Sequence, residues 1–159
     1  MTNSQAARMS DKYGFDIMDG RQVPRLVVTG DFTLSETHQG GVHVEGGRFC
    51  LAGTLQGSLD LQPGVSAIIS GSQQGSVLIG NGSVAVVTGS IEGSAHVSRG
   101  AVLLIEKTGR LGGPLRNDGE VVVRGVFGGA HSGHGKLRCE NDGHIMQPIV
   151  RNGVSYYGW

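Results

Sequence analysis

The sequence predicts an all-β chain: a parallel β-helix (β-solenoid) of about six short rungs, some 18 residues each, stacked along one axis. Three observations lead there. Glycine supplies 29 of 159 residues, far above the ~7% of ordinary proteins. From Gly57 the chain repeats in register every eighteen residues: GSLDLQPGVSAIISGSQQ at 57–74, GSVLIGNGSVAVVTGSIE at 75–92, then GSAHVSRGAVLLIEKTG from Gly93. No segment sustains a 3.6-residue apolar period, whereas short runs such as Ser76-Val77-Leu78-Ile79 alternate with period 2.

Residues 1–26 lie outside the repeat and read as an extension or cap. Their Arg8, Lys12, Arg21 and Arg25 are offset by Asp11, Asp16 and Asp19, so they form no basic arm, and Tyr13, Phe15, Ile17 and Met18 are expected to pack over the first rung. The solenoid runs over 27–145. Its copy at 40–56 is one residue short, and copies at 113–128 and 129–145 follow a two-residue excess near Glu106–Arg110. Gly57, Gly75 and Gly93 form one glycine column, Gly64, Gly82 and Gly100 a second, Gly71 and Gly89 a third. Glycine permits corners that a residue with a Cβ resists, which gives each rung roughly three short faces. The columns Leu59-Val77-Ala95, Leu61-Ile79-Val97 and Ile69-Val87-Ile105 fill the axis. Between two of them, His43, Asp60, Leu78, His96 and Arg116 share one slot, whose mixed chemistry marks it as solvent-facing. Residues 146–159 read as an aromatic C-terminal cap over the last rung, and Tyr156, Tyr157 and Trp159 are the candidate protein interface.

Composition excludes several classes. Thirteen Lys+Arg balance thirteen Asp+Glu, which argues against a nucleic-acid or anionic-membrane partner. No apolar run approaches a ~20-residue membrane span, and the first residues lack a secretory apolar stretch. Cys50 and Cys139 are no disulfide framework, so a reducing cytoplasm is the expected setting. Glycine does not fall at every third position, which excludes collagen.

The search for chemistry returns little. There is no nucleotide-binding glycine loop: Gly133-His134-Gly135-Lys136-Leu137 lacks both the spacing and the hydroxyl. No nucleophile elbow is present, and the serines sit mostly at Gly-Ser corners. His131, His134, Cys139 and His144 lie within fourteen residues and are weak metal candidates, their spacing matching no standard zinc signature. His38, His43 and His96 read as isolated and solvated, and Cys50, between Phe49 and Leu51, as a buried small apolar residue. No cofactor and no catalytic residue is expected.

The GS-x-hydrophobic-x-hydrophobic blocks, with Val86-Val87-Thr88-Gly89-Ser90-Ile91-Glu92-Gly93 and the stretch from Val27 to Phe127, resemble the bactofilins, polymer-forming bacterial cytoskeletal proteins. The resemblance implies a right-handed, three-faced β-helix that polymerises end to end without nucleotide, and it brings no catalytic residues. The expected function is a non-catalytic structural or protein-interaction solenoid, assembling through rung ends or faces. The alternative is a bacterial immunity protein that binds and neutralises a cognate secreted toxin. A lesser alternative is an enzyme like the hexapeptide acyltransferases, whose six-residue aliphatic signature this chain lacks.

Overall fold

A computed structural model describes residues 6–158, the side chain of Tyr156 excepted. The chain opens with a long antiparallel hairpin, β1 (Ala7–Met18) and β2 (Arg21–Val28), after which every turn lays down one strand on each of three faces. The end of β2, β3 (Phe32–Leu34) and β4 (Thr37–His38) make the first turn. The second is β5 (Val42–Val44), β6 (Arg48–Leu51) and β7 (Thr54–Leu55), and the third is β8 (Leu59–Leu61), β9 (Ser66–Ile69) and β10 (Ser72–Gln73). Then come β11 (Val77–Ile79), β12 (Val84–Val87) and β13 (Ser90–Ile91), and β14 (Ala95–Val97), β15 (Val102–Ile105) and β16 (Arg110–Leu111). The sixth turn is β17 (Leu115–Asn117), β18 (Glu120–Val123) and β19 (Val126–Phe127), and the last is β20 (His131–Ser132), β21 (Lys136–Cys139) and β22 (His144–Ile145). A separate hairpin, β23 (Ile149–Arg151) and β24 (Val154–Tyr156), follows.

The β-solenoid is therefore as the repeat predicts, with seven turns rather than six. The extra turn is the first: Leu26, Val27 and Val28 pair in parallel with Val42, His43 and Val44 but carry no Gly-Ser signature to betray them. The first face holds β2, β5, β8, β11, β14, β17 and β20, with β1 added antiparallel at its N-terminal edge. The second runs from β3 to β21 and the third from β4 to β22. Along the first face the register steps from Leu26 to Val42, Leu59, Val77, Ala95, Leu115 and His131, so a turn takes between 16 and 20 residues. Leu61, Ile79 and Val97 stack as neighbours in one column.

The core is the axis of this coil. Inward side chains such as Phe49, Leu61, Ile79, Leu103, Ile105 and Phe127 are fully buried. Each is covered only by its own turn and the two adjoining ones, which makes cohesion a nearest-neighbour matter. Polar residues that enter this interior serve the corners. Buried Gln73 takes an inward slot between Leu55 and Ile91 and donates through Nε2 to the carbonyls of Gly57 (2.9 Å), Gly75 (3.1 Å) and Ser76 (3.3 Å). Asn117 donates to the Lys136 carbonyl at 2.8 Å and accepts from the Gly119 amide at 3.1 Å, tying the sixth turn to the seventh.

Candidate functional site

The outward slot of the first face carries a connected polar array. Val27, His43, Asp60, Leu78, His96, Arg116 and Ser132 follow one another in register. Ladder pairing brings residues 17 or 18 apart in sequence side by side, so a His and an Asp in one slot of successive turns can touch. His43 Nδ1 lies 3.1 Å from Asp60 Oδ2, and His43 Nε2 lies 3.2 Å from Arg25 Nη1. A guanidinium can only donate, so Nε2 accepts and Nδ1–H donates to the carboxylate. Arg25 also pairs with Asp16 at 3.2 Å, and Asp16 accepts the Gly41 amide at 2.7 Å. Gln62 donates to Asp60 at 3.0 Å.

A bulge in β1 between Ser10 and Phe15 closes over this array. It lays the Tyr13 ring on His43, centroids 3.9 Å apart and 9° from parallel. Tyr13 Oη and Lys12 Nζ both donate to Glu45 Oε2. The hydrogen bond from Lys12, then that from Tyr13, hold the Glu45 carboxyl below its ordinary range, and bonding to Glu45 raises both Lys12 and Tyr13. His43 is accordingly buried. Downstream, an open groove of about 420 Å³ runs past Asp60, Leu78 and His96 beside Ser58, Ser76 and Ser94. Beyond it Asp118 accepts from Arg116 Nε at 3.2 Å, meets His96 Nε2 at 3.3 Å and accepts the His134 amide at 3.4 Å. Burial pushes the Asp118 pKa up, but these hydrogen bonds outweigh it and hold it below normal.

An Asp–His pair beside a row of serines invites a hydrolase reading. At His43 the geometry opposes it: both ring nitrogens are engaged, Nε2 by Arg25, which occupies the position a nucleophilic hydroxyl would need. The array is a closed network that pins β1 to the solenoid.

Several sequence expectations are corrected here. His43 and His96 are not isolated: ladder stacking gives each a carboxylate partner. His38 takes an inward slot beside Leu55 and is half-buried, and burial lowers its pKa. Cys50 is not inward: its neighbours Phe49 and Leu51 are, so alternation turns Cys50 to the outer surface. Phe15 and Ile17 do not pack over the first rung but stand 44% and 66% exposed, since β1 extends the first face rather than folding across the axis. His131, Cys139 and His144 fall on three different faces of the last turn, with His134 at a corner between two of them. No three His, Cys, Asp or Glu side chains among the described residues gather as metal ligands. Both cysteines are free. Of the proposed interface, Trp159 and the Tyr156 side chain lie outside the described residues, and Tyr157 is half-buried. Among the described residues no helix is long and apolar enough to cross a membrane.

The feature that sequence reading missed is on the second face. From β6 onward its strands are four residues long, and in β9, β12 and β15 positions one and three point outward. Ile68, Val86 and Leu104 stack on the outside with Cys50 before them, and Val84 and Val102 stack alongside. Because the adjoining inward residues Ile69, Val87 and Ile105 are also apolar, the period-2 signal is masked. In comparisons with known proteins, no family model, no curated protein and no solved structure matches this chain.

Proposed function

We propose that the chain is a non-catalytic structural solenoid that assembles end to end with copies of itself. One observation carries the reading: among the described residues, the core ends in partly exposed side chains at both ends of the stack. Inward residues of the five middle turns are buried, whereas Phe32 in the first turn and Leu137 and Ile145 in the last pack against the core yet remain partly exposed. The strand edges at these ends are parallel and in one register, so β21 of one copy can pair with β3 of the next and β22 with β4. Leu137 then falls on Phe32, Ile145 on His38, and Lys136 beside Asp31. An unpaired edge of this kind either recruits another chain or needs cover. Hairpin β23–β24 pairs with none of β20, β21 and β22, and on the first face the outer edge of β1 takes the place of a parallel strand.

The test is sedimentation velocity against concentration. Wild-type protein is expected to grow into a ladder of oligomers, and the paired substitutions Leu137→Asp and Ile145→Asp to abolish that ladder, leaving nothing larger than a pair of 16.5 kDa chains. Wild-type protein that fails to grow by end addition would overturn the reading. A second reading, capture of one other protein, draws on the exposed Val150 and Val154 of the hairpin, each 62% accessible. It requires that removing the hairpin abolish binding to that partner and leave self-assembly intact.

A further inference from the structure

We infer that the outer surface of the second face is a two-fold contact between two copies of this chain, running side by side with their axes antiparallel. This goes beyond end-to-end assembly and rests on different residues.

The surface has two columns. One reads Cys50, Ile68, Val86 and Leu104, then Val122, which is buried, and Arg138. Ile68, Val86 and Leu104 are half-buried, shielded by one another, and none belongs to the core. The other reads Arg48, Ser66, Val84, Val102, Glu120 and Lys136. Asp31 precedes Phe32 as Arg48 precedes Phe49, and so heads this second column at the first turn. An apolar centre flanked by charges at both ends is the anatomy of a protein contact.

The sequence of charges identifies the occupant. From the first turn to the seventh the second column runs acid, base, three neutral residues, acid, base. Read backwards, every sign is reversed. Rotating a second copy by half a turn about an axis parallel to the strands and centred on the fourth turn sets Val84 and Val86 against their own counterparts. Ile68 then faces Leu104, Ser66 faces Val102, Arg48 faces Glu120 and Asp31 faces Lys136. All four ion pairs of the two-fold contact join opposite charges, and the apolar residues meet at the middle. A half-turn about the solenoid axis direction instead sets Arg48 against Cys50 and Glu120 against Val122, so neither gains an opposite charge from the second copy and Glu120 keeps only Arg138 of its own chain, 3.1 Å away. Self-complementarity under one symmetry operator is what an isologous contact requires.

The size of the face sets the strength. Seven turns at ~4.8 Å by four residues at ~3.3 Å give a planar footprint of about 400 Å². That is half the ~800 Å² per partner of a standard interface, so a lone pair associates weakly, in the micromolar range or above. Linked rods repeat the contact along their length, and avidity strengthens it.

Equilibrium sedimentation of the Leu137→Asp, Ile145→Asp background, which cannot extend end to end, isolates this contact. A reversible dimer of twice the 16.5 kDa chain mass is expected. Val86→Glu places two like charges on the axis and should weaken the dimer at least tenfold, with an unchanged circular-dichroism melt because the position faces outward. Arg48→Glu alone sets Glu against Glu and should weaken it, as should Glu120→Arg alone. Mixing those two variants restores every opposite pair, and a heterodimer at near wild-type affinity should return. Single-chain mass at all concentrations, or a dimer indifferent to Val86→Glu, overturns the proposal. Failure of the mixture to recover would overturn the antiparallel two-fold arrangement. Neither Arg48 nor Glu120 lies at an end of the stack, so these results are independent of end-to-end growth.

Discussion

Two glycine columns look alike in the sequence but exist for different reasons. A Cβ on Gly75 would lie 2.2 Å from the Gly57 carbonyl oxygen, backbone against backbone, where nothing can yield. A Cβ on Gly82 would meet only the Gly64 amide nitrogen at an ordinary 3.9 Å, but the Gly82 φ is +74°. Asn tolerates that left-handed region, and this chain itself places Asn141 and Asn152 there. Thermal or denaturant melts should therefore separate the columns. Gly82→Asn is expected to cost about 1 kcal/mol or less, whereas Gly75→Asn should cost about 3 kcal/mol or more, by the overpacking of a rigid corner. Equal costs would refute the distinction. The sequence shows both columns and their register, because the eighteen-residue period is exact from Gly57 to Gly93. It does not show which glycine is held by space and which by torsion, since both appear as the same missing side chain.

Element by element, legibility follows whether the pairing is local to the repeat. The inward columns on the first and second faces follow from periodicity, whereas the two-residue strands of the third, whose inward column includes His38 and Gln73, are too short and too mixed to show one. The His43–Asp60 contact was also present in the sequence, as two titratable residues in one slot of successive copies, but only parallel pairing turns that coincidence into a hydrogen bond. Strand β1 was not legible: its polarity alternates poorly, and its anchors Tyr13 and Lys12 meet Glu45 across 32 and 33 residues. That latch has a pH signature. The Glu45 pKa is depressed in the folded chain, so its contribution is present above the ordinary carboxylate value of ~4.3 and fades as pH falls through the lower folded value. The Tyr13 pKa is raised, so its contribution survives to alkaline pH and is lost only as pH rises through that higher value. Amide-exchange protection of residues 7–18 should hold at pH 7 and drop below about pH 4 while β9, β12 and β15 stay protected. Glu45→Gln should loosen β1 at pH 7 and remove most of that pH dependence. Protection of β1 that is equal at both pH values would contradict the latch.

At the scale of the whole molecule the chain is a rod about 34 Å long, seven turns at ~4.8 Å. Its polar clusters are bonded among themselves, as the Arg124 guanidinium is between Glu106 at 2.9 Å and Glu140 at 3.1 Å. Among the described residues, three buried polar atoms, Arg25 Nε, His38 Nε2 and Gln73 Oε1, find no hydrogen-bond partner, and the larger unpaired surfaces are the strand edges and partly exposed core at the ends and an apolar stripe on one face. These are the surfaces that the proposed self-assembly uses. That the ends differ from a bare cut through the repeat, with β1 closing one face, could not be read from a period that ends before it. The most direct measurement is electron microscopy with diffraction from aligned specimens at rising concentration. The account expects filaments one or two rods wide, with a ~4.8 Å meridional spacing and an axial subunit repeat of about 34 Å. Discrete rods of that single length, unchanged at the highest concentration reached, would contradict it.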